Sequence, residues 1–159
     1  MSFKDDDTPL LHTVAYTLEG LLELSVIFSE PAWFDAVAWA AEKIALLQNP
    51  ITGALPGKLK APYLAACDWT TTTGNAQMAA IWYRLTELSG DTKWLPFANQ
   101  AIGFNCRLQN AGSHQPNYRG GLIGCHPYSA GYGAYWFMNW NVKFQLDALL
   151  LNGRTRFLV

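Results

Sequence analysis

Residues 47–49 read Leu47-Gln48-Asn49, and the triplet returns 61 positions later as Leu108-Gln109-Asn110. Trp33 and Trp94 are separated by the same interval. Upstream, Glu23-Leu24-Ser25 recurs as Glu87-Leu88-Ser89 at an offset of 64, which makes the first inter-helix turn three residues longer. Self-similarity at this period marks a helical-hairpin repeat. The sequence around the triplets has helical spacing. Leu11, Val14, Ala15, Leu18, Leu21, Leu22 and Ser25 predict a first helix over about 10–28. Pro31 opens a second, which runs to about Gln48 and stops at Asn49-Pro50. Thr71-Thr72-Thr73-Gly74-Asn75 offers hydroxyl caps for a third over about 73–89, closed by Ser89-Gly90. Asp91-Thr92 caps a fourth over about 92–109, and a fifth spans about 133–151, ending at Asn152-Gly153. No alternation marks a strand of more than a few residues. The expected class is all-α: two tandem α/α hairpins and one extra helix in a single domain over 1–159, with 1–9 a disordered start.

Composition excludes several classes. Charged residues are 14% against a usual share of about 25%, while hydrophobic residues reach 50%, so an apolar core and not disorder is expected. At 159 residues that core needs no staple of disulfides or metal. The net charge of −1 and the lack of any Lys/Arg run exclude nucleic acid as a partner. The longest uncharged run, Gly120 to Val142, contains Pro127, Asn139, Asn141 and five glycines, so it reads as a loop entering a helix and not as a membrane span. Cys67, Cys106 and Cys125 make an odd count with no CxxC pair, and the polar start MSFKDDDTPL does not read as a secretory signal. A reducing, cytoplasmic setting is expected.

The two long connections, 49–72 and 110–132, are rich in Gly, Pro and aromatics, whereas the other two turns are short. Loops of this length in a compact domain are usually functional or linkers. The alternation of short and long connections sends both long loops to one face.

Hairpins that end in Gln, followed by a Gly-rich loop and a capped new helix, resemble the α/α-toroid superfamily. That group includes the six-hairpin glycosidases and the repeats of terpenoid cyclases and prenyltransferase subunits. The segments His12-Thr13-Val14-Ala15-Tyr16, Thr73-Gly74-Asn75-Ala76-Gln77 and Lys143-Phe144-Gln145-Leu146-Asp147-Ala148-Leu149 are similar to such proteins of bacterial polysaccharide gene clusters. The resemblance spans residues 10–151 and implies that the first, third and fifth helices form an inner layer opening onto a binding face. A toroid has about twelve helices, so this chain matches part of a ring. Its open faces imply self-association, with a dimer of two facing arcs as the expected form.

Spacing supports the same face. His12, Tyr16, Glu19 and Glu23 lie at i, i+4, i+7 and i+11, and Trp136, Trp140, Lys143 and Asp147 repeat that spacing. Placing Glu23 level with Glu87 adds Ala76, Ala80 and Tyr83 from the third helix, so that Glu19, Tyr83 and Lys143 become equivalent. Such a wall is a solvated helix face, a core or dimer surface rich in aromatics, or a groove in which flat rings lie under sugars. Successive tryptophans fit the first reading poorly.

Glycoside cleavage needs two carboxylates, and the candidates are Glu19 on the wall and Asp68 in the loop beside Trp69. Lyase or epimerase chemistry would need a base, from His12, Tyr16 or Tyr132, and a cation, from Arg119, Lys143 or Arg84. Arg84 reads equally as an i,i+3 partner of Glu87, and Asp68 as a turn residue. Binding candidates are Trp69, Asn75, Tyr83, Arg119, Tyr132, Trp136, Trp140 and Lys143. In Asn117-Tyr118-Arg119-Gly120-Gly121 the glycines permit close backbone approach and Arg119 can fork onto a carboxylate, or the pair simply makes a tight turn. Lys58 and Lys60 add positive charge, which suits an acidic polysaccharide. Cys125-His126 resembles the zinc site of lanthionine-synthetase cyclases, with Cys67, His114 and His12 as conceivable partners. Pro127 and the adjacent-residue spacing depart from that pattern, so neither metal nor cofactor is expected. The leading expectation is a carbohydrate-interacting protein that binds or processes a bacterial polysaccharide, with catalysis left open. The alternatives are a non-catalytic self-assembling helical module and an isoprenoid or other apolar-ligand binder. Against the last, no DxDD-type cluster occurs in the helices, and Asp5-Asp6-Asp7 lies in the start.

Overall fold

A computed structural model describes residues 8–155; the Asp5-Asp6-Asp7 run and most of the start expected to be disordered lie outside the described residues. Five α-helices make up the body: α1 (Leu11–Ile27), α2 (Pro31–Ala45), α3 (Thr72–Ser89), α4 (Leu95–Leu108) and α5 (Asn139–Thr155). Four two-residue strands stitch the loops. β1 (Leu59–Lys60) pairs antiparallel with β2 (Leu64–Ala65), and β3 (Thr70–Thr71) pairs antiparallel with β4 (Cys125–His126). No helix among the described residues is long and apolar enough to cross a membrane.

The helix boundaries follow local chemistry. Pro31 sits in the first turn of α2, where its missing N–H costs nothing. Thr71 Oγ1 accepts from Gly74 N at 2.9 Å to cap α3, and Gly90, in the left-handed region at φ 73°, ends that helix. Asp91 accepts from Lys93 N at 2.9 Å, but it caps a 3₁₀ turn, Thr92–Trp94, that precedes α4. Three expectations need correction. α2 stops at Ala45, not near Gln48, because Leu46–Gln48 turn away so that the Gln48 amide can anchor the loop. α5 begins at Asn139, six residues later than 133. Gly133 and Tyr135 take positive φ, and Gly124 N bonds to Trp136 O at 2.9 Å, so this stretch is held as loop. Asn152-Gly153 does not end α5, which runs on to Thr155.

α3 is the centre of the molecule. Residues 72–83, together with Leu85 and Thr86, are buried, and α1, α2, α4 and α5 pack around it. The apolar core joins Leu11, Leu18 and Leu22 of α1, Val37 and Ile44 of α2, Met78, Ile81, Trp82 and Leu85 of α3, and Ile102 of α4. Tyr83, expected on an open wall, is fully buried.

The Leu-Gln-Asn triplets perform the same act twice. Gln48 Nε2 donates to Gly53 O at 3.2 Å, Asn49 N to Ala54 O at 2.9 Å, and Gly53 N to Asn49 O at 2.8 Å. Gln109 Nε2 donates to Gly120 O at 3.0 Å, Asn110 N to Gly121 O at 2.9 Å, and Gly120 N to Asn110 O at 2.9 Å. Both glycines sit at positive φ, 78° and 80°. The repeat continues through the loops. Gly57 N bonds to Trp69 O and Gly57 O accepts from Leu11 N; Gly124 N bonds to Trp136 O and Gly124 O accepts from Thr72 N. Each long loop therefore reaches back over the start of the preceding odd-numbered helix. These bonds put Leu11 level with Thr72, and Trp69 level with Trp136. The helix register is thus 61 from α1 to α3 and 67 from α3 to α5, which replaces the expected register of 64 between Glu23 and Glu87.

Gly53 and Gly120 differ in one respect that a substitution can read. A Cβ on Gly53 would overlap the Gln100 carbonyl of α4, whereas one on Gly120 would meet nothing within 4 Å. Gly120→Ala should cost about 1–2 kcal/mol for the left-handed conformation alone, and Gly53→Ala distinctly more. Urea denaturation of both variants checks this; equal losses would contradict it.

Candidate functional site

The corrected register brings together much of the expected set. Along α1, His12 and Tyr16 approach Phe144 of α5 and Glu19 feels Lys143 and Asp147, while both helices pack on α3. The His12 and Tyr16 rings lie 4.7 Å apart, with Tyr132 of the second loop 5.7 Å from His12. Phe144 of α5 stands edge-on to Tyr16 at 5.3 Å and to His12 at 6.2 Å. Beneath them the buried Gln77 of α3 pairs with His12, Nδ1 to Oε1 at 2.7 Å. With Nδ1–H as donor to the amide oxygen, His12 Nε2 keeps its lone pair.

The electrostatics have identifiable causes. Burial lowers the His12 imidazole below its ordinary value, and the Gln77 hydrogen bond opposes that in part. Burial also raises the Glu19 carboxyl, against the pull of Lys143 and the Gln77 amide, while Asp147 and Glu23 push it higher. Gln77 Nε2 makes no hydrogen bond of normal length among the described residues, so its hold on Glu19 is a longer-range one. Tyr132 is raised, chiefly by burial, with hydrogen bonding from Trp140 opposing. Lys143 is raised first by its hydrogen bond to Asp147, at 2.7 Å, and then by Asp147, Glu19 and Tyr16 together. Its ammonium also rests 4.0 Å over the Phe144 ring.

Deeper along α1 a cleft of about 300 Å³ is lined by Glu19, Glu23, Ala80, Arg84, Glu87 and Arg154, among others. Arg84 forks onto Glu23 (Nε to Oε1 2.8 Å, Nη2 to Oε2 3.1 Å) and reaches Glu87 through Nη1 at 2.7 Å. The expected Arg84–Glu87 pair is present, with Glu23 added. Both carboxylates raise the guanidinium further above its already high value, Glu23 most. A cation so paired is a strut joining α1 to α3 and not a free group for substrate.

Several expected site residues lie elsewhere. Asp68 is exposed in the first loop and makes no hydrogen bond or ion pair among the described residues; the carboxylate that accompanies Glu19 is Asp147. Trp69 is a half-buried wedge: a Cβ on Gly57 would overlap its ring, and one on Gly131 would come to 2.9 Å, so the indole clamps the two loops together. Asn75 is buried and structural, accepting from Leu55 N at 3.0 Å and donating to Gly53 O at 3.3 Å. Tyr83 bonds to Asn99 at 2.7 Å and to Asn152, facing α4 and not α1. Arg119 is exposed in the second loop, with its backbone tied to Gln115. Trp136, expected on the fifth helix, lies in the loop before it and is 71% exposed, because α5 starts later than the spacing implied. Gln77 and Phe144 were missed as site residues; the 61-residue interval, applied to Tyr16, points to Gln77.

Two cysteines serve the loops, while Cys106 of α4 accepts from Gln145 Nε2 of α5 at 3.3 Å. Cys67 Sγ accepts from Lys58 N at 3.1 Å and donates to Trp69 O at 3.3 Å, and Cys125 Sγ donates to Ala130 O at 3.3 Å. Among the described residues no three His, Cys, Asp or Glu side chains gather as a metal ion would require.

The Glu19 shift has a measurable consequence. Its folded pKa lies above the ordinary 4.5, so the folded protein holds this proton more tightly than the unfolded chain does. The associated stability is complete below 4.5 and is lost as pH rises through the folded value. Glu19→Gln should therefore gain stability over the parent from acid to neutral pH, as read by Tm against pH. A constant difference between the two would contradict the shift. By the same burial, His12 should titrate below 6.5 in an imidazole NMR titration.

Comparison with protein-family models, with curated proteins and with solved structures found no match to this chain.

Proposed function

We propose that the face formed by α1, α5 and the underlying Gln77 binds a glycan chain, and that the molecule is an arc of the α/α-toroid type. The observation that carries this reading is the grouping of Tyr16, Tyr132, Phe144 and Trp140 with Glu19, Lys143 and Asp147. Flat aromatic faces accept the C–H side of sugar rings, while carboxylate, ammonium and amide groups take the hydroxyls. Lys143 gives the face a cation for an acidic sugar, although Asp147 shares its charge. An apolar ligand fits less well, since Glu19, Lys143 and Asp147 would be left desolvated.

The same face has the parts for bond cleavage. Glu19, with its raised pKa, is the proton donor to a glycosidic oxygen, and Asp147 takes the place given to Asp68 from sequence as the second carboxylate. Neutral His12, held by Gln77 among Tyr16, Tyr132 and Phe144, is a base for lyase chemistry on the same face.

A panel of neutral and acidic bacterial polysaccharides, assayed for binding by calorimetry and for cleavage by product analysis, tests both levels. Trp140→Ala should weaken binding by about tenfold, or 1.4 kcal/mol. Glu19→Gln should keep binding and remove cleavage. Absence of binding across the panel would overturn the glycan reading; binding without cleavage would leave a recognition module.

A further inference from the structure

Gln77 brings an unpaired donor to the floor of the candidate site. Its side chain is fully buried on α3, yet Nε2 has no hydrogen-bond partner among the described residues. A side-chain amide has one accepting end and one donating end. The accepting end is committed, since Oε1 meets His12 Nδ1 at 2.7 Å. The donating end is directed the other way, and the carboxyl it acts on is that of Glu19. The 61-residue register puts Gln77 level with Tyr16, so His12 lies one turn before it along α1 and Glu19 nearly one turn after it. One buried amide of α3 thus lies between two ionisable groups of α1.

The amide can face this pair in two orientations, and charge selects between them. With Glu19 ionised, the Nε2 hydrogens point toward an anion and Oε1 toward the imidazole. The flipped amide would set its carbonyl oxygen against the carboxylate, which Coulomb repulsion opposes. Oε1 can only accept, so the ring nitrogen that meets it must carry the hydrogen. Nδ1 is then the donor, and the lone pair stays on Nε2. With Glu19 protonated, or replaced by a neutral side chain, that repulsion is gone. A flipped amide then donates to a bare Nδ1; the ring gives the Nδ1 proton to water and takes one from water at Nε2.

The other groups facing the pair have partners of their own. Lys143 and Asp147 of α5 pair with each other at 2.7 Å, and Glu23 of α1 and Glu87 of α3 are both held by Arg84. Arg154 of α5 lines the cleft beyond Glu19. Around His12 stand the rings of Tyr16, Tyr132 and Phe144, and the group bonded to Nδ1 is Gln77.

We infer that Gln77 is a positioning residue that couples His12 to Glu19, so that the ionised carboxylate holds His12 in the Nδ1–H tautomer with Nε2 as the basic nitrogen. The inference deepens the reading of this face as a site of glycan cleavage, because it names the nitrogen that takes the proton and the charge state in which it does so. Proton donation by Glu19 and proton uptake by His12 then belong to different protonation states of one face.

Histidine ¹⁵N NMR of the free, full chain reads the tautomer, because protonated and bare ring nitrogens resonate far apart. No ligand is involved, so this test can fail while glycan binding stands, and the reverse. At about pH 8, where an ordinary carboxyl is ionised and an ordinary imidazole neutral, the parent should show Nδ1–H in excess over Nε2–H. That excess should be about tenfold, the worth of one net hydrogen bond. Gln77→Met, which keeps the length of the side chain but has no amide, should lose the excess. Glu19→Gln should lose it too, acting through Gln77. A Gln77 that merely filled space would leave the tautomer unmoved by Glu19→Gln. Circular dichroism verifies folding, and if Gln77→Met does not fold, Glu19→Gln at its half-buried site decides alone. A parent with the hydrogen on Nε2, or a Glu19→Gln variant that keeps the parent's tautomer, would overturn the inference.

Discussion

The constraint on which the structure depends is that α3 is buried on every side while its first two turns are polar. Thr72, Thr73, Asn75 and Gln77 have no access to solvent. A buried polar group left unpaired costs about 1–3 kcal/mol, so each of these side chains recruits a partner, and the partners come from both long loops and from α1 and α5. Thr72 Oγ1 donates to Ile123 O at 2.5 Å, in the second loop. Thr73 bonds to Asn141 of α5, and Asn75 holds Gly53 and Leu55 of the first loop. Asn105 of α4 reaches the Thr72 carbonyl at 2.8 Å, and Gln77 meets His12 of α1. Apolar burial supplies the bulk of the driving force, but it is non-directional. The polar turns decide which loop and which helix goes where.

That arrangement also explains the composition of the candidate site. Gln77 belongs at once to the buried ladder and to the floor beneath His12 and Glu19, so the site rests on the most enclosed helix of the fold. Support of this kind keeps His12 and Glu19 half-buried against α3, and that burial is the largest cause of their shifts. Lys143 and Asp147 lie at the rim on α5 with more solvent, and their mutual pairing is the softer part of the site.

The sequence was informative where a side chain acts on its own neighbourhood. Pro31, Thr71, Gly90 and Asp91 mark boundaries because each satisfies or removes a local backbone group. The Leu-Gln-Asn repeat announces the loop clasps because Gln48 and Gln109 bond to carbonyls only a short way along the chain. His12, Tyr16, Glu19 and Lys143 were found through helical spacing. It was less informative where long-range pairing overrides spacing. Trp136 fits a helical stripe on paper, yet the bond of its carbonyl to Gly124 keeps it in a loop. Tyr83 looked like a wall residue because aligning Glu23 with Glu87 gave a register of 64; the backbone bonds of Leu11 and Thr72 set it at 61. Asp68 was a candidate second carboxylate for Glu19, but Trp69 next to it is occupied in clamping two loops and nothing draws Asp68 toward Glu19.

Native-state hydrogen exchange in sub-denaturing urea tests the central role of α3 most directly. Residues 76–83 have their backbone amides inside a helix enclosed by four others, so those amides should exchange only through global unfolding, with the highest opening free energy in the molecule. The amides of α1 and α5, each with one face open to solvent, should open at lower cost. Exchange of the α3 amides through local openings cheaper than those of α1 or α5 would contradict the account.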